Sequence, residues 1–587
     1  MITMTPPIEM APIPPRRSGP AGQAHARRPR LRAAVRAACA ATLALITVGT
    51  FGAGLAAAAG PKEYVVLYDR DARASAARAA IRDAGGRVVR ENDAVGLATV
   101  RTKARNFRAA VSGARAIDGV AANRAIGHAP DDRRKLDLAD LEASSDAART
   151  QPMRPPLNPS MDPFSTVQWD MAMIDADFSG SYRYEQGSHD VIVGVIDTGI
   201  EANHPDIAPN FNRELSRNFT VDDPIVDGPC EDDPDQSCQD PPDVDEGGHG
   251  THVAGTIGAP LNQVGIGGVA PRVGLVNLRA GQDSGFFFLQ PTVDALTFAG
   301  NHGIDVVNMS FFTDPWLYNC ASNPADSPAE QAQQRTVIEA TQRALRFARS
   351  RGVTLVSALG NEFTDLGNPT VDTISPDYPP GSERTRTVDN SCLTMPTEGQ
   401  GVVGVSAVGP SGRKSWFSNY GLEQTDVSAP GGDALDFPGT SAYGQPENRV
   451  LSPTSEVSLR ERGFLDPANP SNRVRSDLVD GKTWYWVYDQ GTSMASPHAA
   501  GVAALIVSRF GRRDPVYGGR TLRPRTVERL LYRTALDVPC PEPRTYVYPP
   551  APQLDVPELQ ATCEGSPDFN GFYGHGIVNA LRAVTSR

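Results

Sequence analysis

The sequence predicts an α/β chain, a parallel sheet sandwiched by helices, preceded by a small α+β unit of the split-βαβ kind. Three observations carry this. Val191–Ile196, Val306–Val307 and Val353–Val356 are apolar runs without charge, each ending on polar residues. A helical stretch around Val293–Asn301 separates two of them, and uncharged strands alternating with helices belong to parallel sheets covered on both faces. Ahead of them, residues 63–126 read in the order β-α-β-β-α-β.

The chain begins with seven arginines and a single acid, Glu9, in its first 36 residues, followed by an uncharged run from Ala37 to Ala59 that ends Leu55-Ala56-Ala57-Ala58-Ala59-Gly60. A basic flank, an apolar stretch and a small-residue end describe a secretory signal peptide, assigned to residues 1–60. The alternative is an uncleaved anchor, since the run is long enough to span a bilayer. The small unit, residues 61–129, has strands at Glu63–Tyr68, Arg87–Val89, Val95–Val100 and Val120–Ile126, with helices at Ala72–Ala84 and Phe107–Ala114. Residues 130–165 are a charged, then proline-rich linker and the expected place of a processing cut; residues 166–587 form the large domain.

A formal net charge of -12 over 587 residues gives no reason to expect a nucleic-acid partner. Cys39 lies in the leader, leaving Cys230, Cys238, Cys320, Cys392, Cys540 and Cys563, an even set that suits disulfides in an exported protein. Six cysteines allow fifteen pairings, among which sequence cannot choose. Proximity suggests Cys230–Cys238 and Cys540–Cys563, leaving Cys320–Cys392.

In open parallel sheets, chemistry collects at the carboxyl ends of strands. Asp197 stands at such an end, followed by Thr198-Gly199. Asp-Thr-Gly is also an aspartic-peptidase signature and Asp283-Ser284-Gly285 is a possible second copy, although no apolar strand precedes it. His249 and His252 lie three apart in Gly248–Thr256 and could ligate a metal, but no third ligand is evident. An acid followed by a histidine suits a general base better, the carboxylate fixing the imidazole tautomer. Asn361 ends another strand, and its amide is either a turn residue or a donor to an oxyanion. Ser493 follows Gly491-Thr492 at the start of an uncharged helix running to Val507. It is either a helix cap or a nucleophile placed where unpaired N–H groups converge.

Asp197-Thr198-Gly199, His249–Thr256, Gly360-Asn361 and Gly491–Pro497, in that order, resemble the subtilisin-like serine peptidases, whose Asp…His…Ser order serves as a worked example of convergent triads. The likeness runs from about Gln168 to Ala583, and no added C-terminal module is expected. It implies a subtilisin-like fold and a secreted, extracellular, monomeric serine endopeptidase made as a zymogen and acting on protein or peptide substrates. Ser493 would be the nucleophile, His249 the base and then acid, Asp197 its orienter, and Asn361 with the Ser493 N–H the oxyanion donors. Peptide would lie between Gly285-Phe286-Phe287 and Ser310-Phe311-Phe312, with Ala358 and Gly360 beside it. Phe311-Phe312 stand where the family usually has glycine shortly after the serine, which narrows the pocket, and Glu362 sits at its rim, where it could favour a basic side chain or be a solvated loop acid.

The resemblance also implies a structural calcium, with Asp206 and Asn262 at ligand positions, and makes residues 61–129 an inhibitory pro-segment that aids folding. Three insertions, 230–246, 362–397 and 455–486, exceed a minimal member. The first is acidic, either a solvated loop clipped by a disulfide or a rim selecting basic peptides or binding another calcium. A catalytically silent binding protein on the same fold is the rival reading.

Overall fold

The computed structural model describes residues 62–123, 162–231, 236–551 and 557–586. The expected signal peptide, most of the expected linker with its processing cut, and Asp232, Asp233 and Asp235 of the acidic loop lie outside them. Among the described residues, no helix is long and apolar enough to cross a membrane.

The small unit follows the expected order: β1 Lys62–Tyr68, α1 Ala74–Asp83, β2 Gly86–Asn92, β3 Leu97–Thr102, α2 Phe107–Ser112 and β4 Ile117–Ala122. Its four strands form an antiparallel sheet in the order β2-β3-β1-β4. Strand alternation decides what it can pack against, since side chains two apart share a face. Val66, Ala98 and Val100 cover α1 and α2, while Val65, Leu67 and Leu97 join the core of the large domain.

In the large domain β5 Ile192–Ile196, β6 Arg217–Asn218, α3 His249–Gly258, β7 Gly274–Arg279, α4 Leu289–Asn301, β8 Val306–Met309, α5 Pro328–Ser350, β9 Thr354–Ala358, β10 Val402–Val408 and β11 Val427–Pro430 alternate along the chain. The strands form one seven-stranded sheet in the order β11-β10-β9-β8-β5-β7-β6, parallel at every ladder. The chain builds β6 and β7 on one side of β5 and then β8 onward on the other. The carboxyl end of β5 is therefore a switch point, where a crevice opens.

Beyond the sheet, β12 Val450–Thr454, β13 Val474–Val479 and β14 Lys482–Asp489 make a three-stranded antiparallel sheet in the order β12-β14-β13. The 455–486 insertion is thus a short helix and a hairpin. Helix α6, Thr492–Phe510, is buried from Thr492 to Ser508, which explains its lack of charge: it is enclosed on all sides rather than amphipathic. A short ladder of β15 Arg512–Arg513 with β16 Arg520–Thr521 and then α7 Pro524–Thr534 follow it. The three disulfides are those that proximity suggests, Cys230–Cys238, Cys320–Cys392 and Cys540–Cys563.

Candidate active site

Asp197, fully buried, follows directly from β5. Its Oδ1 accepts a hydrogen bond from the Thr198 N–H at 2.8 Å and another from His249 Nδ1 at 2.7 Å. The histidine side chain keeps 23% of its surface exposed, so one edge faces solvent while the other is anchored. Two glycines permit this approach of α3 to the strand end. Gly248 has φ +78°, and a Cβ there would lie 2.6 Å from Ser458 Oγ. A Cβ on Gly250 would lie 2.1 Å from the Gly199 carbonyl oxygen.

The first turn of α3 is fastened by Asp245, which sequence reading placed in an acidic insertion with solvated, substrate-selecting or calcium-binding roles open. The structure buries it. Oδ1 accepts from Thr198 Oγ1 at 2.9 Å and Gly248 N at 2.8 Å; Oδ2 accepts from Thr251 N at 2.9 Å and Thr251 Oγ1 at 2.5 Å. Asp245 thereby holds both the segment after Asp197 and the helix bearing His249. The capping rule would have missed it, because Asp245 lies three residues before the N-cap Gly248.

Ser493 is the second residue of α6, where its N–H has no acceptor within the helix. Thr492 before it organises the neighbourhood. Its N–H and Oγ1 both donate to Asn361 Oδ1, at 2.9 and 3.0 Å, while Oγ1 accepts from Gly360 N at 3.0 Å. With its carbonyl held, Asn361 turns the NH₂ side of its amide toward the cavity it lines. Ser310 braces the other flank: its Oγ lies 2.9 Å from Ser496 Oγ, and its carbonyl accepts from Ser493 Oγ at 3.4 Å.

One cavity of about 510 Å³ brings these groups together. His249, Asn361 and Ser493 line it, as do Gly285, Phe287, Ser310, Phe311, Phe312, Ala358 and Gly360. Phe287 and Phe311 stack, centroids 4.0 Å apart and planes within 4°, making one apolar wall. Phe312 lines the cavity as well, packed with Leu317 and Leu359. Glu362 also lines it; Oε2 accepts from Asn419 Nδ2 at 2.5 Å, and burial raises its pKa.

Two alternatives read from the sequence fail on geometry. His252 is buried with Nε2 3.2 Å from the carbonyls of Val450 and Val487, and burial lowers its pKa to about 4. It is a neutral structural donor rather than a metal ligand. Asp283 pairs with Arg279 at 3.1 Å rather than with Asp197.

For calcium, Asp206 and Asn262 do sit beside one another, and Asp206 Oδ1 is buried with no hydrogen-bond partner among the described residues, while the other oxygens are engaged. Asp206 Oδ2 accepts from Trp486 Nε1 at 2.7 Å and Ile266 N at 2.9 Å. Asn262 Oδ1 accepts from Val264 N at 2.9 Å, and its amide donates to Pro205 O. Burial pushes the Asp206 carboxyl well up, and calcium wants six to eight oxygens with charged carboxylates among them. The unpartnered Asp206 oxygen and the Asn262 side chain offer part of such a site, and a bound cation would keep the carboxyl ionised. Elsewhere, one oxygen each of Asp222, Asp240 and Asp283 lie within 4.8 Å of one another, a spacing that could hold a metal ion. The buried Arg279 guanidinium already lies among them, 3.0 Å from Asp222, 3.1 Å from Asp283 and in contact with Asp240.

The family model described as "Subtilase family" matches residues 188–576. Subtilisin DY of Bacillus licheniformis is 28% identical over 345 residues, 59% of this chain and 86% of that protein. The nisin leader peptide-processing serine protease of Lactococcus lactis subsp. lactis is 27% identical over 356 residues, 60% of this chain and 45% of that protein. Among solved structures, the epidermin leader peptide processing serine protease of Staphylococcus aureus matches with a TM-score of 0.57 at 20% identity, covering 90% of this chain and 98% of that one, a likeness of fold. Since the matched region exceeds half the chain and carries all four motifs at one cavity, the chain belongs to the subtilase family of serine endopeptidases.

Proposed function

We propose that this endopeptidase cleaves peptide bonds through an acyl-enzyme on Ser493, and that it is exported as a zymogen. The observation carrying the reading is the 2.7 Å hydrogen bond from His249 Nδ1 to the buried Asp197, beside a serine at a helix start. That bond fixes the tautomer, leaving Nε2 to take the Ser493 proton as Oγ attacks the scissile carbonyl. The oxyanion is met by the Ser493 N–H and the Asn361 amide. Collapse expels the amine, protonated by His249, and water repeats the sequence to free the acid. Asp197 stays ionised and stabilises the imidazolium. No step runs through calcium.

Substrate enters as an extended strand between the 285–287 and 310–312 segments, with the Phe287–Phe311 wall receiving an apolar side chain. One relative, by its name, processes the nisin leader peptide. Cutting a leader from a precursor peptide is the substrate class we assign.

The 62–123 unit acts as the inhibitory pro-segment. Supporting this, Arg343 donates to the carbonyl of Tyr68 at 2.7 Å and to Asp118 at 2.5 Å, while Asn92 donates to Asp294 at 2.7 Å and Thr297 at 2.6 Å. Export follows from the leader sequence and fits the three disulfides.

The test is Ser493→Ala in the full chain. Peptide cleavage disappears, the 62–123 segment stays attached, and a fluorophosphonate probe no longer labels the protein. Cleavage at the parent rate would disprove the mechanism.

A further inference from the structure

One segment of this acidic protein is dense in arginine. Residues 509–533 contain Arg509, Arg512, Arg513, Arg520, Arg523, Arg525, Arg529 and Arg533 against two acids, Asp514 and Glu528. Both acids are engaged: Glu528 binds Arg349, and Asp514 accepts the N–H groups of Val516 and Tyr517. Arg509, Arg512, Arg513, Arg523, Arg525 and Arg529 are exposed and, among the described residues, none forms an ion pair with a carboxylate. On α7, Arg525, Arg529 and Arg533 recur every fourth residue and so share one face.

Apolar side chains stand out of the same surface. The turn between β15 and β16 exposes 73% of Val516 and 43% of Tyr517, and Phe510 beside it is 37% exposed. The turn is held in place: Arg520 N donates to the Asp190 carbonyl at 2.8 Å, and Tyr517 lies against Gly303, where a Cβ would come within 2.6 Å. Asp190 and Gly303 immediately precede β5 and β8, so the patch lies at the amino ends of the strands, opposite Asp197. Helix α6 links the two ends, with Ser493 at its start and Phe510 at its end, roughly 26 Å apart at 1.5 Å per residue.

We propose that residues 509–533 are a docking surface for an anionic phospholipid bilayer. Arginines supply attraction to the headgroups, while Val516, Tyr517 and Phe510 enter the interface. The protruding apolar turn favours a bilayer over a soluble polyanion, which charge alone would satisfy. Docked this way, the cleft faces away from the lipid and stays open to peptide.

The test uses the full chain with Ser493→Ala and sucrose-loaded vesicles of phosphatidylcholine, with or without about 30% phosphatidylglycerol. Phosphatidylglycerol vesicles should carry the protein down, and about 0.5 M NaCl should release it. Amides of residues 510–533 should gain protection from deuterium exchange on those vesicles, which separates this surface from any effect of residues 37–59. Arg525→Gln/Arg529→Gln/Arg533→Gln should weaken partitioning on the order of 100-fold with the thermal midpoint unchanged. Val516→Asp should weaken it while leaving the salt dependence. Absent protection at 510–533, unaltered binding of the variants, or loss of heparin binding without loss of vesicle binding would each overturn the proposal.

Discussion

Thr492 holds Asn361 by its carbonyl oxygen, with its N–H at 2.9 Å and its Oγ1 at 3.0 Å. In the proposed mechanism, the residue that precedes the nucleophile therefore also aims the side chain that meets the oxyanion. Thr492→Val should lower kcat about tenfold with KM little changed, because one of two anchors is lost and the amide is misdirected only in the transition state. Thr492→Ser should restore most of the rate, a rescue that a purely packing role for the threonine would not show. Steady-state kinetics on a peptide amide decides.

Removing the amide itself should cost more. Asn361→Ala is expected to reduce kcat by about 10²–10³, roughly 3–4 kcal/mol of transition-state stabilisation. Asp197→Asn, which permits the wrong imidazole tautomer, should reduce it by about 10⁴. Active-site titration with a fluorophosphonate checks that the folded population is unchanged.

Trp486 donates to the buried Asp206 carboxyl where a calcium was expected. Trp486→Phe should destabilise the domain by about 1–3 kcal/mol, the cost of a buried acceptor losing a donor. Thermal unfolding of parent and variant in calcium and in chelator checks this, and a calcium-dependent difference would mark the Asp206 loop as an ion site.

Asp162 is buried and accepts the N–H groups of Asn262 and Gln263, yet burial outweighs these bonds and raises its pKa to about 6. Its folded pKa lies above the unfolded value near 4, so the native state binds the extra proton between them. Stability should therefore be greater below pH 4 and decline as pH rises through 6, by up to about 3 kcal/mol. Asp162→Asn keeps an acceptor oxygen and should flatten this segment of the stability–pH curve. Denaturant titrations across pH 4–8 measure it.

Arg343 joins β1, β4 and α5 through Tyr68, Asp118 and Glu339. Arg343→Ala leaves the buried Tyr68 carbonyl short of a charged donor and should loosen the small unit from the large domain by about 1–3 kcal/mol. If the unit assists folding, the yield of active enzyme from the full chain should fall, with normal kcat in what matures.

What the sequence made legible was local. The order of the small unit, the strands before Asp197 and Asn361, and the helix after Ser493 each rest on short-range periodicity and on polar residues at strand ends. What it hid depends on chain segments that meet only on folding. Trp486 reaches Asp206 across 280 positions, and Arg279 gathers Asp222, Asp240 and Asp283 from three separate turns. The acidic insertion was read as a unit because its composition is uniform. Folding divides it instead into residues tied inward, such as Asp240 and Asp245, and ones such as Asp243 that pair with arginine at the surface.

The Cys320–Cys392 bridge closes a loop of 72 positions, and Asn361 lies within it. A closure of that length is worth about 4 kcal/mol by the chain-entropy account. In a thiol-rich cytosol that contribution is missing, and the segment presenting the oxyanion donor is the part left slack. If the chain is exported as proposed, oxidation acts as a compartment lock: full proteolytic competence comes only outside the cell that makes it, which spares that cell's own proteins.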